Sequence, residues 1–342
     1  MDKFGSASGI FNAKRSQLEH TEGIGTIRAE QIRKFSAHAE VEQEITFLEK
    51  FNIRPLFITD DHYPKRLLNC YDPPILLYAK GPASLNTARM LAVVGTRNPT
   101  EYGNRLAEDM IDAIAPFEPT IVSGLAFGID ALAHRWSLKK NIPTLAVLAH
   151  GLSHIYPHQH RNLARQIIDE GGALLTEFLS SQKPDKHHFP SRNRIVAGLC
   201  DAVVILESGI KGGSMVTAAL AAGYNRDIYS FPGRIHDSKS MGCNKLIQQQ
   251  QAQMLSCPND LIDALGWKND PGKKQARQAA LPLEVSDRER QVIELLQQKD
   301  AMTIDELSHC FKGSVPALSE ILLTLEMQGL IRSLPGKKFS CC

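Results

Sequence analysis

The sequence predicts an α/β fold class: a doubly wound parallel sheet, with a small helical module before it and a winged-helix module after it. Three observations lead to this prediction. Short Val-, Ile- and Leu-rich runs alternate with helical patterns in the middle of the chain, two glycines mark a tight turn between helices near its start, and three helical segments precede a hairpin at its end.

The first element is a helical module over residues 1–50. The pattern over Ser16–Phe35 indicates helix, tight turn, helix, with Gly23 and Gly25 in the turn, and two glycines suit a hairpin between helices. Two interpretations stay open: a helix-hairpin-helix (SAM-like) unit whose turn amides face a DNA phosphate, or a hairpin that only packs. The six basic and seven acidic residues of 1–46 favour the second.

A connecting strand-and-turn region over 51–84, broken by prolines, leads into the main domain at 85–267. The apolar runs of the main domain do not alternate with polar residues, which predicts strands buried on both faces and covered by the intervening helices. Ligands of such sheets bind beyond the carboxyl ends of the strands. The predicted strands are Met90–Val94, Thr120–Val122, Thr144–Leu148, Ala173–Thr176, Ala202–Leu206 and Asp227–Phe231.

The last element is a winged-helix module over 283–342, behind a polar linker at 268–282. Ser286 and Thr303 have the side chains of helix N-caps, and a third helical pattern at 315–328 precedes a short strand. Seven basic and nine acidic residues from Leu283 onward favour contact with protein over a strong grip on DNA.

Composition narrows the classes of function. Of the 342 residues 43% are hydrophobic and 22% charged, which excludes a disordered or collagen-like chain. The net charge of +2 gives no global signal for nucleic acid, so that evidence must be local. The seven cysteines have neither C-x-x-C nor zinc spacing, which predicts a reducing cytoplasm, and without a signal-peptide pattern or an 18-residue apolar run we expect no membrane insertion.

The first two parts of the candidate site along the chain are strand-to-helix turns. The first contains Gly95 and Arg97, where the glycine lets a phosphate approach the backbone and the arginine offers a planar fork of donors. The second contains Ser123, Gly124 and Gly128 at the start of a helix, where free amides and the positive end of the helix dipole form an anion cradle.

Phe127 in the second turn has two interpretations, whereas Asp130 has one preferred role. Phe127 is either a packing residue or a platform for base stacking. Asp130 is best explained as a carboxylate that stabilises its helix. Farther along, Arg192 and Arg194 flank Asn193, and arginines this close repel unless an anion or an acidic partner stands between them.

A third glycine-rich turn, with Gly213, Ser214 and Thr217, completes the candidate site. Three such turns at one sheet edge, with arginines among them, predict binding of a polyanion or nucleotide. The four histidines between 150 and 160 lie in a loop without a carboxylate pair, so no metal site is predicted. No catalytic triad or carboxylate pair recurs near the cradles, so no catalyst is predicted either.

In order along the sheet domain, these motifs resemble the DNA-processing protein A family, DprA, also called Smf. The resemblance implies an extended Rossmann domain that binds single-stranded DNA, homodimerisation, and no enzymatic activity or cofactor. It also implies that incoming strands are protected and RecA is loaded on them during natural transformation, with single-strand-binding protein as a further candidate partner. The matching motifs are Val94–Arg97, Ser123–Asp130 with Ala133-His134, Ile155–Pro157, Phe189–Gly198, Gly213–Ala218 and Phe231–Gly233.

The resemblance also assigns roles by position. It implies that Arg97 binds a backbone phosphate, that Ser123, Gly124 and Gly128 shape one cradle and Gly213, Ser214 and Thr217 another, and that Arg192, Asn193 and Arg194 line the pocket. Two positions depart from the family pattern: His158 stands where relatives often have lysine, and Phe127 where they often have a basic or polar residue. Both changes lower the fixed charge, so we expect weaker or more pH-dependent binding.

A second hypothesis is an enzyme, a nucleotide phosphoribohydrolase of the lysine-decarboxylase-like, LOG-type group, which shares this type of sheet. Proteins of that group contain a motif similar to Pro-Gly-Gly-x-Gly-Thr, followed by a catalytic glutamate. Here the corresponding stretch, 211–219, contains no acid. Because the general acid/base is missing, the DNA-binding hypothesis is preferred.

Overall fold

The computed structural model describes residues 3–269, 286–297, 302–311, 314–327, 330–334 and 338–341. The chain divides into two compact units, Met1–Asn269 and Asp270–Cys342. Most of the predicted linker at 268–282 therefore lies outside the described residues. None of the helices in these ranges has the length and apolar character needed to cross a membrane.

Short helices form the start of the first unit. Gly23, with φ of +77°, lies in the turn between the second and third of them, and Leu18 and Ala29 are fully buried on either side of that turn. The guanidinium of Arg28 donates to the carbonyl oxygen of Gly23, which ties the turn to the third helix. The helices are α1 Ala7–Asn12, α2 Arg15–Glu19, α3 Thr26–Arg33 and α4 His38–Lys50.

The rest of the first unit is built on a nine-stranded sheet. Its strands are β1 Arg54–Phe57, β2 Leu76–Lys80, β3 Met90–Val94, β4 Thr120–Ser123, β5 Thr144–Val147, β6 Ala173–Thr176, β7 Ala202–Ile205, β8 Asp227–Ser230 and β9 Gln253–Met254. The predicted fold class is confirmed, and β3 to β8 each begin at the predicted residue and end within one residue of the prediction. The connecting region contributes β1 and β2, which extend the sheet.

The sheet explains why the apolar runs are continuous. In β3, Met90, Ala92 and Val94 belong to the core on one face, while Leu91 and Val93 belong to the core on the other. Both cores are covered by helices, as expected for a parallel sheet. These helices are α5 Lys65–Leu68, α6 Glu101–Ile114, α7 Ile129–Lys139, α8 Arg161–Asp169, α9 His188–Leu199, α10 Gly213–Gly223, α11 Met241–Gln248 and α12 Pro258–Ala264, with 3-10 turns at Ala115–Phe117, His158–His160 and Trp267–Asn269.

The strand order is β1-β2-β6-β5-β4-β3-β7-β8-β9. From β3 to β9 neighbouring strands are parallel, whereas β2 is antiparallel to both β6 and β1. The chain adds strands on one side of β3 as far as β6 and then returns to add β7 on the other side. The connections that leave the carboxyl ends of β3 and β7 therefore run in opposite directions, which makes this a topological switch point, where doubly wound sheets bind their ligands.

The second unit is a small helical and antiparallel module. Its described elements are α13 Asp287–Gln297, β10 Met302–Thr303, α14 Ile304–Cys310, α15 Val315–Met327, β11 Ile331–Leu334 and β12 Lys338–Cys341. Thr303 and Glu306 form a capping box at the start of α14, with the Thr303 amide donating to the Glu306 carboxylate over 2.8 Å. Three helices and a sheet of order β10-β12-β11 form the predicted winged-helix arrangement.

Candidate functional site

A cleft of about 530 Å³ lies at the switch point. Its walls come from the segments that follow β3, β4, β7 and β8 and from the first turns of α9 and α10. The volume is in the range of small-ligand sites. Eight of the predicted residues line it: Gly95, Arg97, Gly124, Arg192, Asn193, Gly213, Ser214 and Thr217.

Arg97 is the third residue after β3 and is exposed at the cleft. Its guanidinium carbon lies 5.5 Å from the ring centroid of Phe189 on α9. Among the residues that the structure describes, no carboxylate forms an ion pair with Arg97. A stacked guanidinium of this kind keeps its N–H donors for a ligand in the cleft.

Arg192 forms the buried floor of the cleft, with only 5% of its surface exposed. Its guanidinium donates to the carbonyl oxygens of Gly124 and Val147, which fixes α9 to the ends of β4 and β5. A Cβ at Gly124 would lie 2.5 Å from that guanidinium, so any larger residue there would force the guanidinium to move. Burial lowers the pKa of Arg192 to about 10 and the nearby carboxylate of Asp130 opposes this shift, so the side chain is cationic at neutral pH.

Asn193 links α9 to α10, because its side-chain amide donates to the carbonyl oxygen of Gly213 over 3.3 Å. The hydroxyls of Ser208 and Ser214 lie 2.7 Å apart beside this contact. Helix α10 begins after Gly212 and receives no hydrogen bond from a side-chain cap. The Met215 amide donates to the Gly212 carbonyl oxygen, so the amides of Gly213 and Ser214 are the ones that remain available to an anion in the cleft, where the helix dipole also favours negative charge.

Carboxylates of the chain itself occupy the other two glycine-rich turns. Glu207, which is buried, accepts hydrogen bonds from the amide and the hydroxyl of Thr100, the N-cap of α6. Asp130 accepts from the amides of Gly124 and Ala126 over 3.1 and 3.4 Å. Of the three predicted glycine-rich turns, the one at α10 thus keeps its amides free of side-chain partners.

Two predicted residues shape the backbone beneath the cleft. Ser123 is fully buried, and its hydroxyl donates to the carbonyl oxygen of Val93 over 2.7 Å, which joins β4 to β3. Gly128 has φ of +78°, and a Cβ there would lie 2.2 Å from the carbonyl oxygen of Thr96. The glycine lets the start of α7 approach the segment that carries Arg97.

The remaining three predicted residues are not among those that line the cleft. Arg194 is bonded to Glu177 and to the carbonyl oxygen of Asp72. His158 is exposed on the 3-10 turn that precedes α8. Phe127 is 43% exposed, makes an edge contact with His160, and lines a smaller pocket beside Arg97. Its position fits either of its two predicted roles.

Two cations of the cleft were absent from the predicted site. Lys211 and Lys239 lie in the segments that follow β7 and β8. Their position beyond the carboxyl ends of parallel strands is the signal that could have identified them. Together with Arg97 and Arg192 they face a single lining carboxylate, Asp130, among the described residues, so the cleft is positively charged.

The histidine loop is held by its own hydrogen bonds. His150 is buried, and its two ring nitrogens contact the carbonyl oxygen of Gly151 and the amide of Tyr156. Its ring stacks on that of His154 with centroids 5.0 Å apart. Burial lowers the pKa of His150, which favours the neutral ring. Within the described part of the chain, no cluster of three or more His, Cys, Asp or Glu is arranged to hold a metal ion.

Comparison with known proteins identifies the family. The profile of DNA recombination-mediator protein A matches residues 54–266, and that of the DprA winged helix domain matches residues 275–337. The chain belongs to the DNA recombination-mediator protein A (DprA) family. The predicted family resemblance is therefore confirmed.

Individual DprA proteins match over most of their length. The DNA processing protein DprA of Bacillus subtilis is 36% identical over 254 residues, which cover 72% of this chain and 85% of the relative. The crystal structure of DprA from Streptococcus pneumoniae matches with a TM-score of 0.65 at 33% identity and covers 73% of this chain and 85% of its own. DprA from Helicobacter pylori, whose structure was studied for its single-stranded DNA binding mode, matches with a TM-score of 0.58 at 32% identity and covers 64% and 97%.

Proposed function

We propose that this chain binds single-stranded DNA in the cleft, and that it protects incoming strands and loads RecA on them during natural transformation. The observation that carries the proposal is the cleft itself. Arg97, Arg192, Lys211 and Lys239 converge there with the open start of α10. Cations and helix N-termini are the groups that proteins use to bind phosphate.

Two features favour a single strand over a duplex. A cleft of about 530 Å³ has the volume of a small-ligand site, so it suits the backbone of one flexible strand. Beside it the rings of Phe127 and Tyr156 are 43% and 49% exposed, which offers stacking surface to unpaired bases. The study of DNA binding by the H. pylori relative supports the same assignment.

The proposal extends to partners and location on the strength of DprA family membership. We expect RecA and a second copy of the chain as partners, single-strand-binding protein as a further one, and the cytoplasm as the compartment. A homodimer would place two clefts on one strand, and linkage of this kind raises the overall affinity without any new contact.

We propose that the protein acts by binding, without catalysis or a cofactor. The carboxylates nearest the cleft support this proposal. Asp130 is engaged by two backbone amides and Glu207 by Thr100, so both already have partners other than a substrate. A phosphoribohydrolase of the LOG type needs a carboxylate that can exchange a proton with its substrate.

Anisotropy titrations with labelled oligonucleotides test the proposed binding. We expect mixed-sequence single strands to bind more tightly than the duplexes of the same sequences, with little difference among sequences. The logarithm of the binding constant should fall linearly with the logarithm of salt concentration, with a slope near −0.7 for each phosphate contacted. Equal or tighter binding of duplex would contradict the assignment.

The mediator role needs a separate measurement. RecA ATPase activity on single strands precoated with single-strand-binding protein should rise sooner when the protein is added. If the delay before the ATPase activity rises is unchanged, RecA loading is contradicted, whereas the proposed binding of single-stranded DNA is not. Nucleotide hydrolysis, assayed in the same preparation without RecA, should stay at background. Hydrolysis above background would support the phosphoribohydrolase hypothesis instead.

A further inference from the structure

Arg192 and Arg194 lie on opposite sides of α9. Two residues along an α-helix correspond to a rotation of roughly 200°. Arg192 faces the cleft, whereas Arg194 points to the other side, where it meets Glu177 at the end of β6. The side chains of Arg194 and Glu177 are only 18% and 16% exposed, so this is a largely buried ion pair.

The pair connects several elements that surround the cleft. The guanidinium of Arg194 donates to the Glu177 carboxylate and to the carbonyl oxygen of Asp72. The carboxylate of Asp72 in turn accepts a hydrogen bond from the hydroxyl of Tyr224, which follows the last turn of α10. One side chain thus joins α9 to β6 and, through Asp72, to α10.

Glu177 depends on Arg194 for compensation of its charge. Its Oε1 atom is buried and has no hydrogen-bond partner among the described residues. Burial raises the pKa of Glu177, and the guanidinium of Arg194 opposes that shift. Loss of one partner would leave the other charge desolvated and unpaired, which is strongly unfavourable. The pair is therefore a firm anchor for the helix.

We propose that Arg194 is a positioning residue. It fixes α9 so that Phe189, Arg192 and Asn193 hold their places in the cleft, and it does not itself contact the DNA. Helix α9 is then held from two sides. Arg192 attaches it to the ends of β4 and β5, and Arg194 attaches it to the end of β6. The effect on DNA rests on the proposed strand binding, whereas the effect on the helix does not.

The role of Glu177 separates positioning from charge. If only the electrostatic field mattered, the change Glu177→Gln would remove a negative charge near an anion site and strengthen binding. If the ion pair positions α9, the same change should weaken binding. The two explanations thus predict opposite signs for one substitution.

The experiment compares the full chain with R194Q, R194K and E177Q. Binding of a mixed-sequence single strand is titrated over a range of salt concentrations, and hydrogen exchange is followed by mass spectrometry on peptides that cover α9. We expect R194Q and E177Q to weaken binding roughly 2- to 30-fold, the range for changes that act through a packed element. For both variants, the slope of the logarithm of the binding constant against the logarithm of salt concentration (the salt slope) should equal that of the wild type. The backbone amides of α9 should exchange faster. R194K, which keeps the charge, should recover part of both effects.

The surface pair Arg165 and Asp169 on α8 supplies the matched controls, because it is exposed and does not line the cleft. R165Q and D169N should leave α9 exchange unchanged. The proposal is overturned if R194Q reduces the salt slope by about 0.7, since that would mean a lost phosphate contact. Tighter binding by E177Q, or unchanged α9 exchange in both variants, would also overturn it.

The experiment also decides the question if the wild type does not bind DNA or if R194Q does not fold. If the wild-type chain binds no single-stranded DNA, the proposed function fails, while the exchange measurement still decides whether Arg194 fixes α9. If R194Q does not fold, R194K and E177Q carry the test: faster α9 exchange in both, with E177Q the more affected, supports the proposal, and wild-type exchange in both refutes it.

Discussion

The guanidinium of Arg97 lies 5.5 Å over the ring of Phe189, so the end of β3 and the first turn of α9 meet across the cleft. A cation on an aromatic face is stabilised without using up its N–H groups. This contact therefore orients Arg97 while leaving its hydrogen bonds for a phosphate.

We predict that Arg97→Ala weakens binding of single-stranded DNA by about 1 to 3 kcal/mol, because a charge-assisted hydrogen bond is lost. The salt slope should become shallower by about 0.7. Titrations at several salt concentrations measure both quantities. Arg165→Ala is the control, since that arginine is exposed and pairs with Asp169. Wild-type affinity in a folded Arg97 variant would remove Arg97 from the site.

Lys211 and Lys239 line the cleft, and each should contribute to binding. We predict that Lys211→Ala and Lys239→Ala each weaken binding of single-stranded DNA by about 1 kcal/mol, near the lower end for bonds to charged groups. Lys268→Ala is the matched control, because Lys268 pairs with Asp263 outside the cleft. Equal losses in all three variants would indicate general charge rather than a site.

Gly128 and Gly23 allow a matched test of the backbone, since their φ values are +78° and +77°. A Cβ at Gly128 would meet the Thr96 carbonyl oxygen at 2.2 Å, whereas nothing lies within 4 Å of one at Gly23. We predict that Gly128→Ala lowers the free energy of unfolding by at least ~3 kcal/mol, from strain and steric clash together. Gly23→Ala should lower it by about 1 to 2 kcal/mol, from strain alone. Urea denaturation followed by circular dichroism measures both, and equal losses would contradict the clash.

His134 should make the protein less stable in acid. The Thr144 hydroxyl donates to the Ile121 carbonyl and accepts from Nδ1 of His134, while Nε2 is buried without a partner among the described atoms. Burial, with smaller contributions from the charges of His160 and Arg192, lowers the pKa of His134 from 6.5 to about 3. The unfolded chain therefore binds more protons between these values, so stability falls as the pH falls from 6.5 toward 3.

The substitution His134→Asn removes this titration. From pH 7 to pH 5, we predict that the wild type loses about 2 kcal/mol more stability than the variant, at about 1.4 kcal/mol per unit below 6.5. Urea denaturation of both proteins at the two pH values gives the difference. An identical loss of stability in the two proteins would show that folding does not lower the pKa of His134.

Predictions from the sequence succeeded where local pattern reflects burial. In β3, consecutive residues are buried in opposite cores, so the run Met90–Val94 is wholly apolar and could be identified without knowing its neighbours. The turns that follow such strands were found for the same reason. They supplied Arg97 and Gly213, both of which line the cleft.

Predictions were incomplete where a side chain's partner is distant in sequence. Arg194 was grouped with Arg192 because they are close along the chain, yet its partners are Glu177, 17 residues away, and the carbonyl oxygen of Asp72, 122 residues away. Glu207 caps α6 through Thr100, 107 residues earlier, which no local pattern reveals. Lys239 lies in the segment after β8, six residues beyond the motif Phe231–Gly233. In each case the missing information is which strand ends become neighbours.

The strand order also determines where a reporter group can be attached. Because β1 is antiparallel to β2 and β2 to β6, the chain direction of β1 matches that of the parallel strands. Phe57, at its end and 50% exposed, therefore lies on the same sheet edge as the cleft. Five strand spacings separate β1 from β3, a distance of roughly 24 Å. A fluorophore at position 57 would lie outside the cleft, yet near enough for energy transfer to a dye on DNA bound there.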